Sequence, residues 1–226
     1  MAVNPDPLRI IPYFTGLSPV EIEAISRMAF EKRAVREEII ILEGERAEAL
    51  YFVVSGAVKI FKTSAEGKEQ IIEIVLPGAS FSDATVLADG INRYSAQAMG
   101  PVVLYGLPKN ELDKILKDYP KVTRNAIGVL ANQLLHLTSL VEDLSFRNVA
   151  SRVAKILLDH AATPDGNTSK RPLTQREMAA MAGTVREVVG RSLKELEDRG
   201  TISIERHRII IKDRKTLKLI AGTDET

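Results

Sequence analysis

Short runs of apolar residues separated by turn residues dominate the chain from about Ala29 to Leu107. The runs are rich in Ile, Val, Tyr and Phe, and glycines stand at or near their ends at positions 56, 67, 78 and 100. Such runs are typical of β-strands. Between two of them, in SAEGKE, Gly67 can adopt the positive φ that a tight hairpin turn needs. The pattern predicts a compact antiparallel β-roll or barrel.

A short helix is predicted immediately before this β region, in LSPVEIEAISRMA. Ser18 is a suitable N-cap, and Pro19 stands at the first helical position, where its missing N–H costs nothing. Ile22, Ile25 and Met28 follow at three-residue steps, so their side chains share one face of the helix. We expect this face to pack on the β-roll.

A long helical pattern begins at Pro120 and contains only one glycine, Gly128. Its apolar residues alternate at steps of three and four, which is the a/d spacing of a coiled coil. They are Ile127, Leu130, Leu134, Leu137, Val141 and Leu144. This narrow stripe, the dimer seam, predicts a helix that packs on its copy in a homodimer. A helix lying on the β-roll remains the alternative, because the seam is short and Leu135 and Leu140 lie outside it.

A second helix is predicted from Val149, and after a polar loop the segment TQREMAAMAGTVREVVGRSLKEL joins two short helical patterns through Gly183. A helix-turn-helix needs a small residue where the helices cross, a glycine in the turn and apolar inner faces. Ala179 and Gly183 meet the first two needs. The apolar inner faces are supplied by Met178, Ala182, Val189 and Leu193. The next segment, GTISIERHRIIIKD, predicts a β-hairpin, which would complete a winged helix.

The second of these two helices has a charged outer face. Thr184 is the predicted cap of this helix, and Arg186, Glu187 and Arg191 lie on its exposed side. An arginine side chain can donate two hydrogen bonds to guanine O6 and N7, and glutamate can accept one from cytosine N4. The face therefore fits the major groove of DNA. A helical pair with merely solvated charges is the alternative.

Composition narrows the class of protein. None of the 226 residues is cysteine, which excludes disulfides, thiolate catalysis and iron–sulfur clusters. No apolar run reaches the length of a membrane helix and the N-terminus lacks signal-peptide features, so we expect a cytoplasmic protein. Residues 1–148 hold 16 Lys and Arg against 19 Asp and Glu, whereas residues 149–226 hold 15 against 11. This basic C-terminal part is compatible with an anionic partner such as DNA.

With these features the chain resembles the CRP/FNR superfamily of bacterial transcription regulators over nearly its whole length. The matching segments are ALYFVVSGAVKIF, EGKEQIIEIVLPGASF, the long helix, SFRNVASRVAKILL and VREVVGRSLKELEDRGTI. The resemblance implies an α+β fold in three parts. These are a cyclic-nucleotide-binding-type β-roll that senses an effector (1–118), a dimerisation helix (119–146) and a winged helix-turn-helix that binds DNA (147–226).

The resemblance also assigns roles in DNA binding. REVVGR is similar to the RExxGR of the cyclic-AMP receptor branch, which implies that Arg186, Glu187 and Arg191 contact bases. Thr174, Gln175 and Arg176 are then the expected phosphate contacts, and the operator is expected to be palindromic with TGTGA-like half-sites. RNA polymerase is an expected partner by the same resemblance. One departure is Ser192, where these helices usually carry a branched apolar residue.

The effector pocket departs further from the family. Relatives that bind cyclic nucleotides hold the phosphate with a Gly-Glu pair and an Arg-Ser pair, and the matching positions here are Ser82, Asp83, Tyr94 and Ser95. The arginine is displaced to Arg93, which strand alternation would turn to the opposite face from Tyr94. We therefore expect an effector other than cyclic AMP.

The identity of that effector is not given by the sequence. The family's polar contacts to adenine correspond here to Leu137 and Thr138, and Leu137 belongs to the apolar seam. A cyclic-nucleotide- or haem-responsive regulator using the same pocket is the alternative, with His136 on the long helix as the residue to consider for haem. No cofactor is assigned, no metal site is predicted, and permanent activity without an effector remains open.

An enzyme is not expected. The sequence has no glycine-rich phosphate loop, no cluster of metal ligands and no readable Ser-His-Asp arrangement. A regulatory module attached to an enzyme or channel would share the β-roll but would not need the winged helix. DNA binding distinguishes these two classes of protein.

Overall fold

The computed structural model describes residues 2–88, 90–160, 173–205 and 208–223. It consists of two compact units. The first contains Met1–Thr63 and Ile72–His136, and the second contains Ser64–Ile71 and Leu137–Thr226. The helices and strands together form an α+β fold, as the sequence predicts.

Eight strands form two four-stranded sheets, with the strand orders β1-β8-β3-β6 and β2-β7-β4-β5. Their bounds are β1 Phe30–Ala34, β2 Ile39–Ile41, β3 Ala49–Ser55, β4 Val58–Thr63, β5 Glu69–Val75, β6 Ser80–Phe81, β7 Ser95–Ala98 and β8 Val102–Pro108. The described pairings are antiparallel. The turn between β4 and β5 contains Gly67 at φ 79°, which confirms the predicted hairpin.

Four helices accompany these strands: α1 Pro19–Ser26, α2 Asp83–Leu87, α3 Lys109–Asp118 and the long α4 Pro120–Phe146. The predicted start of α1 is confirmed, because the Ser18 hydroxyl accepts a hydrogen bond from the Glu21 N–H and the Glu21 carboxylate accepts one from the Ser18 N–H. The inner face of α1 packs with two 3-10 turns, Asp6–Ile10 and Pro12–Phe14, on one side of the roll. The short helix α2 was not predicted.

The core of the first unit consists of two clusters of buried side chains. One contains the aromatic group of Tyr13, Phe14 and Phe52, whose ring centroids lie 5.3–6.3 Å apart. The other lies between the sheets and contains Val53, Leu104 and further aliphatic residues. Strands β3 and β8 are buried at most of their positions because they supply side chains to both clusters.

In the second unit the elements after α4 are α5 Val149–His160, α6 Gln175–Ala182, α7 Arg186–Asp198, β9 Ile202–Glu205, β10 Arg208–Ile211 and α8 Arg214–Ala221. The predicted helix from Val149 and the predicted hairpin of β9 and β10 are both present, although the hairpin turn at 206–207 lies outside the described residues. The terminal helix α8 was not predicted. Among the described helices, none is long and apolar enough to cross a membrane.

Candidate nucleic-acid interface and effector pocket

Helices α6 and α7 form the predicted helix-turn-helix. The Thr174 hydroxyl accepts a hydrogen bond from the Glu177 N–H (3.2 Å), and the Glu177 carboxylate accepts one from the Thr174 N–H (2.8 Å). This capping box fixes the start of α6. Gly183 ends the helix in the left-handed conformation, at φ 65°. A side chain there would be strained and would contact Leu144 and Gln70 at 3.1 Å, so glycine suits this turn.

The predicted cap of α7 was wrong. The Thr184 N–H donates to the Ala179 carbonyl oxygen at 3.0 Å, so Thr184 still closes the end of α6. The N-cap of α7 is Val185, in an extended conformation, and its side chain forms no capping hydrogen bond. Its carbonyl oxygen accepts hydrogen bonds from the N–H groups of Val188 and Val189.

The inner faces of the two helices are buried together with α5 and α8, as the apolar pattern predicts. Met178, Ala182, Val189 and Leu193 are each at most 2% exposed. Ser192 is also buried, at 6% exposed. Because the inner face is rigidly packed, the outer face of α7 is held at a defined angle to α6.

The outer face of α7 carries the three predicted base contacts. Arg186, Glu187 and Arg191 are exposed, and so is Lys194 one turn further on. Among the described residues, none of these four side chains forms an ion pair or a hydrogen bond. Their donors and acceptors are therefore available to a partner. The expected phosphate contacts Thr174, Gln175 and Arg176 lie at the N-terminus of α6, where a helix attracts anions.

Two further residues contact the helix-turn-helix, and neither was predicted from the sequence. In the second unit the Lys68 ammonium donates to the Gly183 carbonyl oxygen at 3.1 Å, and the Gln70 side-chain amide donates to the Met181 carbonyl oxygen at 3.3 Å. Both acceptors lie at the C-terminal end of α6, where carbonyl groups lack partners within the helix. The sequence shows Lys68 and Gln70 only as hairpin residues, so no local pattern could have placed them here.

Asp83 lies at the predicted effector pocket, but its carboxylate is already bonded within the first unit. It is 1% exposed and accepts hydrogen bonds from the Tyr13 hydroxyl, from Ser80 Oγ (2.8 Å) and from Gln133 Nε2 (3.2 Å). Burial, followed by the nearby Asp83 charge, raises the pKa of the Tyr13 phenol well above its usual value. Asp83 thus ties the N-terminal segment and α4 to the roll.

Ser82 and Tyr94 are brought together beside Asp83. The Ser82 N–H donates to the Tyr94 hydroxyl oxygen at 2.8 Å, and burial raises the pKa of Tyr94 to about 12, so the phenol stays neutral. Ser95 Oγ accepts a hydrogen bond from the Glu43 N–H at 3.0 Å. The Ser82 N–H, the Tyr94 hydroxyl and Ser95 Oγ therefore each have a partner in the same chain, whereas the buried Ser82 Oγ has none among the described residues.

The prediction that strand alternation orients Arg93 was wrong. Strand β7 begins at Ser95, so Arg93 and Tyr94 lie in a bend, to which strand alternation does not apply. Arg93 is nevertheless exposed, whereas Tyr94 is half-buried. The sequence pattern could not locate this bend because no glycine or proline marks it.

A cavity of about 240 Å³ lies in the first unit, next to Asp83 and its partners. Pro12, Ala79 and Val129 form its apolar wall. Its polar lining consists of Glu73, Ser80, Asn132, Gln133 and His136. Leu137 and Thr138, which were also predicted to line the pocket, are exposed residues of the second unit.

The seam positions share one face of α4. Ile127, Leu134 and Val141 are each more than 60% exposed, Leu137 and Leu144 are about two-fifths exposed, and Leu130 is half-buried. Such a stripe of large apolar side chains in contact with water is unfavourable in a lone chain. Within the described ranges, no group of three or more potential ligands could hold a metal ion.

Known proteins share both parts of this architecture. The cyclic nucleotide-binding domain model matches residues 31–119, and the Crp-like helix-turn-helix domain model matches residues 151–220. The CRP-like cAMP-activated global transcriptional regulator of Mycobacterium tuberculosis is 30% identical over 90% of this chain and 93% of its own length. The cyclic AMP receptor protein of Thermus thermophilus is 30% identical over 93% of this chain and 96% of its own. The structure of FixK2 from Bradyrhizobium japonicum is 27% identical with a TM-score of 0.75, covering 88% of this chain and 98% of FixK2.

Proposed function

Because the chain belongs to the CRP/FNR superfamily of DNA-binding transcription regulators, we propose that it acts as a homodimer on a palindromic operator. The observation that carries this proposal is the outer face of α7. Arg186, Glu187 and Arg191 project from a packed helix-turn-helix and have no partners among the described residues. By the similarity of REVVGR to the RExxGR branch, each half-site resembles TGTGA. The two half-sites lie about 34 Å apart, one turn of DNA.

The dimer is proposed to form through the seam on α4, whose exposed apolar stripe supports it. In a homodimer a two-fold axis relates the two copies of α7, which matches a palindromic operator. RNA polymerase is the proposed protein partner, on the strength of the family alone. The effector is proposed to be a molecule other than cyclic AMP, because the Ser82 N–H already donates to the Tyr94 hydroxyl and the Asp83 carboxylate already accepts from Ser80.

Replacing Arg191 with alanine is expected to weaken operator binding by about 1–3 kcal/mol and to relax the base preference, because a bidentate contact to guanine is lost. Arg176→Ala is the matched control at the predicted phosphate contact. It should weaken binding to all sequences alike and lower the salt dependence of binding by about one unit. Mobility-shift titrations on operator and random DNA, at several salt concentrations, measure both effects. Equal losses on the two DNAs for Arg191→Ala would contradict its role as a base contact.

Gly190 allows a second test of the same face. A β-carbon at this position would meet no atom of the described chain within 4 Å, so no packing within the chain requires glycine. Gly190→Ala is therefore expected to raise the free energy of unfolding by about 0.5–1 kcal/mol through helix propensity, while weakening operator binding because the DNA surface must approach α7 closely. Chemical denaturation and mobility shifts measure the two changes.

Gly128→Ala is the matched control for this substitution. Gly128 lies in α4, outside the seam, and has equally open space around its β-carbon. Gly128→Ala should stabilise the fold without changing operator affinity. If both alanine variants leave operator affinity unchanged, the DNA does not approach α7 at Gly190, and the proposed docking face is wrong.

A regulatory module for an enzyme or a channel would share the β-roll but bind no DNA. The complete helix-turn-helix in the same chain argues against this function. The mobility shift separates the two functions, because a module without DNA binding would give no salt-dependent complex at any protein concentration near its physiological range.

A further inference from the structure

The cavity in the first unit contains a carboxylate that accepts no hydrogen bond from the described residues. Glu73 projects from β5 into the cavity and is half-buried. Within the described part of the chain, its carboxylate forms no hydrogen bond and no ion pair. Burial raises the pKa of Glu73 above its usual value, Asp83 adds to the rise, and His136 partly opposes it. A half-buried acceptor that has no donor in the described chain favours a ligand that supplies one.

The remaining polar groups of the cavity reinforce its preference for positive charge. Among the described residues, no lysine or arginine lines it, and His136 is its only basic side chain. Gln133 and Ser80 already give hydrogen bonds to the buried Asp83 carboxylate. A negatively charged ligand would therefore meet the Glu73 carboxyl group, with the Asp83 carboxylate behind Ser80 and Gln133, and His136 as the one basic group in the described lining.

We propose that this cavity binds a small organic cation, of the amidinium, guanidinium or ammonium class, whose charged group bonds Glu73 and whose apolar part contacts Pro12, Ala79 and Val129. The volume of about 240 Å³ suits a molecule with a single ring. An amidinium or guanidinium group matches a carboxylate with two parallel hydrogen bonds. The claim that this ligand is the effector rests on the proposed function. The claim that the cavity binds the ligand does not.

The position of the cavity connects such a ligand to the dimerisation helix. Asn132, Gln133 and His136 lie on α4, while Glu73 lies on β5. A ligand in the cavity touches both elements and stabilises whichever arrangement of β5 and α4 brings these groups together. Because α4 carries the seam, the same ligand is expected to change operator affinity.

Three probes of nearly identical shape test the charge preference on the full-length protein. They are benzamidinium, benzamide and benzoate, which carry a positive charge, no charge and a negative charge. Because burial raises the pKa of Glu73, the titration calorimetry is run at about pH 8, on the alkaline side of neutrality, and should show benzamidinium binding at least about tenfold more tightly than benzamide, and benzoate more weakly still. Benzoate or benzamide binding as tightly as benzamidinium would overturn the proposal, and so would the absence of benzamidinium binding at millimolar concentration.

Two variants locate the binding. Glu73→Gln keeps the size of the side chain but removes its charge, and should reduce benzamidinium affinity at least about tenfold. Glu45→Gln is the matched control, because Glu45 is exposed and lies outside the cavity, and it should leave the affinity unchanged. Equal affinity in wild type and Glu73→Gln would refute the site.

Operator binding, measured separately on the same preparations, distinguishes the two proposals. Glu73→Gln that still binds the operator is folded, so a lost response to benzamidinium then reports on the cavity alone. Benzamidinium binding without any operator binding would leave the cation site intact and overturn the proposed function. Operator binding without benzamidinium binding would leave the proposed function intact and overturn the cation site.

Discussion

Replacing Leu134 and Leu137 together with lysine is expected to convert the proposed dimer into monomers. Both side chains lie on the exposed seam of α4, and in a homodimer each would pack against its copy. Four ammonium groups would then be buried among apolar side chains. An uncompensated buried charge costs about 3–5 kcal/mol, which exceeds what a short seam can offset. Sedimentation velocity at micromolar concentration measures the change in mass.

Leu135 is a well-matched control. Its side chain is 67% exposed and that of Leu134 is 66% exposed, yet Leu135 lies one position away from the seam. Leu135→Lys should therefore sediment as the wild type does. If the double variant remains a dimer, or if Leu135→Lys separates the chains equally well, the dimer forms through another surface of the protein.

The double variant should also lose most of its operator affinity. A dimer binds both half-sites in one event, whereas a monomer gains only the contacts of a single α7 and loses the effective concentration provided by its linked copy. The loss should be larger on a two-half-site operator than on a single half-site. A variant that is monomeric but binds the full operator normally would show that the two-fold arrangement is unnecessary.

Local sequence signals predicted much of the fold correctly. Ser18 and Pro19 mark the start of α1, Gly67 marks the β4–β5 turn, and Gly183 marks the end of α6, because each residue type satisfies a backbone need that few others satisfy. The buried inner face of the helix-turn-helix also followed from spacing alone, since residues three and four apart share a helix face.

The effector region was less predictable because its key contacts join distant parts of the chain. Tyr13 and Asp83 are 70 residues apart, and Gln133 reaches Asp83 from another element 50 residues further on. No local spacing encodes such a group. The sequence therefore showed a carboxyl group at position 83. It did not show that this group already accepts hydrogen bonds from three donors. Similarly, threonine is a residue type that often caps helices, but the Thr184 N–H donates to Ala179 and Thr184 therefore belongs to the end of α6.

Cyclic AMP is expected to bind this protein only weakly, with a dissociation constant towards the millimolar range. A cyclic phosphate that leaves water for a partly buried pocket needs charge-assisted hydrogen bonds, normally from arginine. Here Tyr94 stands at the position that matches that arginine, and its pKa of about 12 keeps the phenol neutral. Arg93 is exposed. The loss of a charged partner for a buried anion costs about 2–5 kcal/mol, enough to change micromolar affinity to millimolar.

The groups that remain oppose the phosphate further. The Ser82 N–H, which could have bonded a phosphate oxygen, already donates to Tyr94, and the Asp83 carboxylate would repel the anion. Titration calorimetry with cyclic AMP and cyclic GMP, together with operator binding with and without each nucleotide, measures the effect. Because two curated relatives are named for cyclic AMP, this is the sharpest difference expected between this chain and those proteins. Low-micromolar binding that also tightens operator affinity would require Tyr94 and Asp83 to give up their present hydrogen bonds, and would show that the ligand, not the free protein, determines the arrangement of this pocket.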